Sequence, residues 1–230
     1  IFLIHFNSRA GIQPYMMRNN EIAKLRRNYS LKELTENIVD PNPFTQFSHW
    51  FNELLKSDVR EPNAMVLATA SLKGIPSART VLLKKFDEDG FVFFTNYEST
   101  KGKDLAANPN AQILFLWLDL ERQVRISGTV EKVSSEESEE YFHSRPTNSQ
   151  IGAWASKQSS VIPGREFLEG KFRETAEKYK DGNIPLPPFW GGFRLKPVEF
   201  EFWQGRESRL HDRISFRKKN NDWEIVRLSP

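Results

Sequence analysis

Cysteine is absent from the 230 residues, which excludes a disulfide framework, thiolate-bound zinc, iron–sulfur clusters and a cysteine nucleophile. Such a composition fits a reducing compartment. Long apolar runs are missing too. No stretch approaches the roughly 18 residues that a spanning helix requires, and with a mean hydropathy of −0.58 the expectation is a soluble, cytoplasmic protein that binds no membrane. Histidine is confined to His5, His49, His143 and His211, too few and too scattered for a multi-histidine metal site. Neither charge dominates: the formal net charge is +3 with 27% of residues charged, and no basic arm points to nucleic acid. The chain also lacks G-x-G-x-x-G, the Walker loop, G-x-S-x-G and H-E-x-x-H, the common signatures of nucleotide, esterase and zinc sites. These absences leave a small-molecule site assembled from dispersed residues.

Aromatic residues, by contrast, are plentiful, with 18 Phe and 6 Trp, and a chain of this size buries about 70–75% of its unfolded surface. Phe44, Phe47, Phe51, Leu54 and Leu55 fall at helical spacing after Pro43, which predicts a helix over 43–57. Turn signals at Lys73-Gly74 and 87–90 divide residues 64–95 into three strands, 64–70, 77–85 and 91–95, read as a meander. A short helix over 101–108 ends at Pro109, and 111–118 with 123–133 reads as a second hairpin. Ser134 and Ser135 cap a helix to about 144, stopped by Pro146, and a helix follows over 165–180. Beyond the connector of Gly182, Pro185, Pro187 and Pro188, strands are expected at 193–195, 198–204, 211–217 and 223–228. With no repeat in view, residues 21–230 read as one β-dominated α+β domain, most simply a small barrel with flanking helices, behind a tail of residues 1–20. The chain opens on Ile, and residues 1–17 contain one Arg and no acid. A truncated organelle-targeting tail, and so a mitochondrial location, stays open.

Alternation along 79–84 puts Arg79, Val81 and Leu83 on one face and Thr80, Leu82 and Lys84 on the other. Arg79 and Lys84 then point opposite ways, either as solvated cations or as two separate anion contacts. Tyr141 and Arg145 are four apart, and Ser149 follows the Pro146 break. This group is either an exposed helix end or a clamp in which a phenol, a guanidinium fork and a hydroxyl converge on phosphate. Alternation places Arg209, His211 and Arg213 on one face. Either water tolerates that cationic row, or it lies beside the aromatic run 200–203 and binds an anionic ring.

Together, Arg79 to Lys84, Tyr141-Phe142-His143-Ser144-Arg145-Pro146, Ser149-Gln150-Ile151-Gly152, Lys157-Gln158-Ser159-Ser160, Phe202-Trp203-Gln204-Gly205, Arg209-Leu210-His211-Asp212-Arg213 and the terminal Arg227-Leu228-Ser229-Pro230 resemble the pyridoxine (pyridoxamine) 5′-phosphate oxidase family. The likeness runs in order from about residue 25 to 230. It implies an FMN-binding split β-barrel of Greek-key type and a homodimer with active sites at the subunit interface. It also implies oxidation of pyridoxine 5′-phosphate or pyridoxamine 5′-phosphate to pyridoxal 5′-phosphate, with O2 as acceptor, H2O2 as product, and ammonia from the amine. By the resemblance, Arg79, Thr80, Val81, Leu82, Leu83 and Lys84 line FMN, with Arg79 on its phosphate and Lys84 reaching the substrate phosphate. Phe94, Thr95, Lys101, Gln123, Gln158, Ser159, Trp203 and Arg213 match further FMN contacts. Tyr141, Arg145 and Ser149 match a substrate-phosphate clamp. Arg209 and His211, with Leu210 between them, match the residues over the substrate ring, and Arg26 to Tyr29 resembles a segment that covers the site. One position departs: the family usually has Arg before the lysine at Lys101, and here it is Thr100.

Overall fold

The computed structural model describes residues 24, 25 and 28–230. The expected tail, its organelle-targeting reading and Arg26 lie outside the described residues. Helix α1 (Pro43–Leu55) starts where Asn42 Oδ1 accepts from the Phe44 amide at 2.9 Å, and Pro43 takes the first helical position, where a missing N–H costs nothing. Its spacing buries Phe47, Trp50 and Leu54 against the sheet. Phe47 meets the rings of Phe86, Phe91 and Phe115 at 4.9–5.1 Å, so much of the core is edge-on aromatic packing.

Nine strands form one antiparallel sheet among the described residues: β1 (Ala64–Ala70), β2 (Pro76–Leu82), β3 (Lys85–Asp87), β4 (Gly90–Asn96), β5 (Asn110–Trp117), β6 (Arg122–Lys132), β7 (Trp190–Gln204), β8 (Asp212–Lys219) and β9 (Asp222–Arg227). Their order is β2-β1-β5-β6-β7-β4-β3, with β8 on β7 and β9 on β8. The sheet curls into a half-barrel around α1, in keeping with the split-barrel expectation. Alternation governs the interior: Met65 and Leu67, Ile113, Phe115 and Trp117, then Val124 and Ile126 are buried, and the residues between them face outward.

The three-strand meander is not found. Residues 77–85 are interrupted after Leu82, because Leu83 N donates to Asn63 O while Lys84 N donates to Val92 O. Two successive amides thus serve different strands, and the chain leaves the β1 edge to pair β3 with β4. A second difference lies at Pro197, which divides no strand. β7 runs through it because the β6 register shifts at Ser127/Gly128, and that bulge absorbs the missing donor. Gly128 is needed there, since any Cβ would collide with the Lys196 carbonyl. β7 is the spine of the sheet: its first half pairs with β4 and its second half with β8.

Helices α2 (Thr100–Ala107), α3 (Ser135–Ser144), α4 (Thr147–Ala155) and α5 (Arg165–Lys178) flank the sheet. Phe142, Ile151, Ile184 and Trp190 form a small second core beneath α3 to α5. Helix α4 was not expected. Pro146 ends α3 and immediately opens α4, a use of proline at helix starts that a reading of it as a stop overlooks. Among the described residues no helix is long and apolar enough to cross a membrane.

Candidate active site

Antiparallel register brings Arg79 on β2 opposite Leu67 on β1. Its side chain turns inward, as alternation predicts, while Lys84 is exposed. Arg79 Nη1 donates to Leu67 O at 3.1 Å and Thr69 Oγ1 at 2.8 Å, Nη2 donates to Ser77 Oγ at 2.5 Å, and Asp104 stands 4.0 Å away. Lys101, in the first turn of α2, donates to Gln158 Oε1 at 2.7 Å and Thr95 Oγ1 at 3.1 Å. Burial lowers the pKa of both cations, Arg79 adding to the effect on Lys101 and Asp104 opposing it on Arg79. Two desolvated cations with few carboxylates nearby favour a bound anion. Ser159, at a left-handed φ of 71°, accepts from Thr100 N at 3.3 Å, and a cleft of about 370 Å³ opens over Thr100, Gln158 and Ser159. Leu83 differs from the rest of its segment, because its side chain lies in the core.

The second group adjoins the first through Gln158, which lines both clefts. Phe94 on β4 stacks on Tyr141 of α3 at 4.0 Å and on Trp190 at 5.5 Å. Arg145 is not on a helical face with Tyr141. It is extended at φ −78°, ψ 149°, because the following proline disfavours helical backbone. Its guanidinium nevertheless reaches the same aromatic wall, 4.8 Å over the Trp190 ring. Ser149, in the first turn of α4, shares a cavity of about 290 Å³ with Arg145, Asn96 and Trp190, and Lys84 Nζ lies 5.8 Å from the Tyr141 ring centre. Burial lowers the Arg145 pKa, and its Nη1 is buried without a partner, so an incoming acceptor satisfies it.

A third group lies on the second half of β7. Gln123, Trp203 and Arg213 face one another across β6, β7 and β8, a single cross-strand row. Arg213 donates to Glu201 Oε1 from Nε at 2.9 Å and to Ser229 O at 2.7 Å. Burial opposes ionisation of Glu201, but Arg213 and Arg125 outweigh it and hold the carboxyl below its ordinary range. Neither Arg209 nor His211 lies on the strand that carries Arg213, since β8 begins only at Asp212. Arg209 sits in a 3₁₀ turn in which it and Ser208 take left-handed φ of 62° and 55°, and Leu210 beside it is exposed. His211 packs on Trp203 at 4.6 Å, Tyr29 closes edge-on over both rings at 5.8 Å, and a cavity of about 740 Å³ opens among Tyr29, Arg206, Arg209 and His211. Arg206 N donates to His211 Nδ1 at 3.1 Å, and burial, then the Arg209 charge, lowers the imidazole pKa. The neutral ring therefore carries its proton on Nε2.

The residues expected at the site thus fall into two sets. Arg79, Lys84, Phe94, Thr95, Lys101, Tyr141, Arg145, Ser149, Gln158 and Ser159 form one, and Tyr29, Gln123, Trp203, Arg209, His211 and Arg213 form the other. Sequence reasoning missed Trp190, Asn96, Asp104 and Glu201, which carry no local pattern and gain meaning only from partners distant in the chain.

Residues 51–179 match the family model of pyridoxamine 5′-phosphate oxidase, and residues 190–230 match the pyridoxine 5′-phosphate oxidase C-terminal dimerisation region. Among curated relatives, the pyridoxine/pyridoxamine 5′-phosphate oxidase of Nostoc sp. is 58% identical over 91% of this chain and 98% of its own length. The one from Cupriavidus necator is 57% identical over 91% and 99%. Among solved structures, PhzG from Burkholderia lata in complex with tetrahydrophenazine-1-carboxylic acid superposes with a TM-score of 0.82 at 30% identity, over 87% of this chain and all of that one. A pyridoxamine 5′-phosphate oxidase-related, FMN-binding protein from Nostoc punctiforme shares the fold with a TM-score of 0.65 at 18% identity, over 84% of this chain and all of that one. The chain belongs to the pyridoxine/pyridoxamine 5′-phosphate oxidase family and is an enzyme of that class.

Proposed function

We propose that the enzyme oxidises pyridoxine 5′-phosphate or pyridoxamine 5′-phosphate to pyridoxal 5′-phosphate with FMN and O2, in sites shared between two copies of the chain. The observation that carries this reading is the pair of anion-seeking clusters joined through Gln158: Arg79 with Lys101, and Arg145 with its partnerless Nη1. Two phosphates, one on the cofactor and one on the substrate, suit two such clusters. Bound FMN would supply the redox chemistry, as acceptor of the hydride from substrate C4′, with O2 as the final acceptor and H2O2 as product; the amine substrate would also consume water and release ammonia.

The protein's part is positioning and electrostatics. Arg79 and Lys101 hold the cofactor phosphate, aided by Ser159 and by Thr95 with Gln158, while Thr80, Val81 and Leu82 line its approach. Lys84, Tyr141, Arg145 and Ser149 clamp the substrate phosphate and so fix C4′ for transfer. Arg209 stabilises negative character on the pyridine substituents. His211, whose Nδ1 is occupied by the Arg206 amide, presents Nε2–H as a donor to the ring. Tyr29 covers this wall.

Homodimer formation follows from the matched dimerisation region. The interface site has its own support: Trp190 of the first set and Trp203 of the second lie on one continuous strand, separated by a contour length of roughly 40 Å of extended chain. That separation along the strand favours a site completed by a second copy of the chain. The sharing of one sheet by nine strands supports reading residues 21–230 as one domain, and a cytoplasmic location is part of the proposal. Purified protein should show flavin absorption and release H2O2 when pyridoxine 5′-phosphate is added. Colourless protein that stays inert with added FMN overturns the reading.

A further inference from the structure

We propose that Glu121 is a positioning residue whose carboxylate pins the backbone of Ser30 and Leu31 and so seats Tyr29 on the Trp203–His211 wall. The inference rests on the proposed function, in which that wall meets the substrate. Glu121 follows the 3₁₀ turn Leu118–Leu120 between β5 and β6 and takes a left-handed φ of 54°, a conformation disfavoured for residues with a side chain. The turn is fastened to the end of β7, because the Glu121 carbonyl accepts from Gly205 N at 2.7 Å and from Gln204 Nε2 at 3.2 Å. From this fixed point Oε2 accepts from Ser30 N at 2.9 Å and from Leu31 N at 3.1 Å. Two successive amides on one carboxylate oxygen are charge-assisted bonds, and they fix the direction of the chain immediately after Tyr29.

Gly205 completes the seat. A Cβ there would lie 2.8 Å from Tyr29 Cβ and 3.1 Å from Glu121 Cβ, so Tyr29 settles into space that only glycine leaves free. The next part of the segment is held independently: Arg227 donates to Glu36 at 2.8 and 2.9 Å and to Leu34 O at 3.1 Å, and Asp212 accepts from Leu34 N at 3.0 Å. Loss of the Glu121 carboxylate therefore frees Tyr29 while residues 33–36 stay docked. Glu121 itself belongs to neither set of site residues and acts through the backbone.

The test uses the FMN-loaded enzyme with Glu121→Ala, the milder Glu121→Gln, Tyr29→Ala and the double variant. Glu121→Ala should raise KM for pyridoxine 5′-phosphate by about tenfold, the scale of a lost charge-assisted bond, with a much smaller change in kcat and an unchanged FMN dissociation constant. Glu121→Gln should fall between it and the unaltered enzyme. Hydrogen exchange of the amides of residues 28–33 should quicken in both Glu121 variants, while residues 34–39 keep their protection. The double variant should bind substrate no worse than Tyr29→Ala alone. Fully additive losses, or unchanged exchange and KM in both Glu121 variants beside a raised KM in Tyr29→Ala, overturn the latch and leave the functional reading standing. An unchanged KM in Tyr29→Ala refutes the placing of Tyr29 against substrate.

Discussion

Replacing Arg145 with methionine isolates one guanidinium's part in substrate binding. The side chain leaves α3 in extended conformation, stacks 4.8 Å over Trp190 and keeps a buried Nη1 without a partner. An unpaired buried donor costs about 1–3 kcal/mol, and a substrate phosphate oxygen removes that cost. Methionine keeps the length and packs well on aromatic surface. The folded chain loses a cation–π contact of about 0.5–1 kcal/mol but no longer buries a charge, so stability should change little. Binding, in contrast, loses a charge-assisted bond of about 1.5–3 kcal/mol, roughly a 10- to 100-fold loss of affinity. The assay is H2O2 release against pyridoxine 5′-phosphate concentration, with FMN dissociation followed by flavin fluorescence and a melting curve as controls. KM should rise by that factor while FMN affinity holds. Arg145→Lys should recover only part, since an ammonium lacks the flat fork that stacks on Trp190. An unchanged KM in a well-folded, FMN-loaded Arg145→Met enzyme refutes the phosphate assignment, and loss of FMN instead moves the residue to the cofactor.

Arg209→Met should lower kcat/KM by about 10- to 100-fold, the equivalent of about 1.5–3 kcal/mol, with FMN content retained; wild-type kcat/KM would refute its role at the ring. Burial and Arg209 keep His211 neutral below its ordinary pKa, so an NMR titration of the ring should show protonation only below the usual histidine range, and Arg209→Met should shift that midpoint upward. A midpoint at or above the ordinary value, or no shift, would contradict this. Thr100 is exposed and contacts Ser159 through its amide, not its hydroxyl, so Thr100→Arg adds a largely solvated cation of about 0–1 kcal/mol. FMN dissociation, read by fluorescence, should tighten by no more than about fivefold, and weaker binding would sink the idea. Arg145→Met and Arg209→Met, each crippled alone, should regain about a quarter of full activity when refolded together, because half of the dimers then carry one intact site of two. No recovery on mixing would mean that each site is built within one chain.

What the sequence made legible follows the regularity of the backbone. Along 79–84, alternation separates Arg79 from Lys84, and Arg79 is partly buried whereas Lys84, two residues past the end of β2, is exposed. Within α1, helical spacing selects the faces that are buried. The same reasoning fails where elements end. Arg145 is one residue past its helix because Pro146 forbids another turn, and Arg209 is outside its strand because Ser208 and Arg209 turn left-handed. Both are among the charged residues proposed to meet the substrate, and chain ends of regular elements are where such side chains escape periodic packing. Ion pairs such as Arg213 with Glu201 across the β7–β8 pair, or Arg79 on a strand beside Asp104 on a helix, are tertiary contacts and leave no local trace.

The proposed sharing of the site between copies, implied by the family resemblance, gains a structural argument only once Pro197 is read correctly. As long as Pro197 separates two short strands, Trp190 and Trp203 are free to fold back toward each other, and a complete site within one chain stays conceivable. Once the Ser127/Gly128 bulge lets β7 pass through Pro197 unbroken, the two tryptophans become the ends of one rigid spine. Hydrogen bonds to β4 on one half and to β8 on the other hold that spine extended, since shortening it would break ladders on both sides. The Arg145 wall and the Trp203 wall are then kept apart by the same strand that carries both. Under the proposed function, a ligand needing both walls takes the second from another molecule, and the bulge at Gly128 would then bear on dimerisation and catalysis alike.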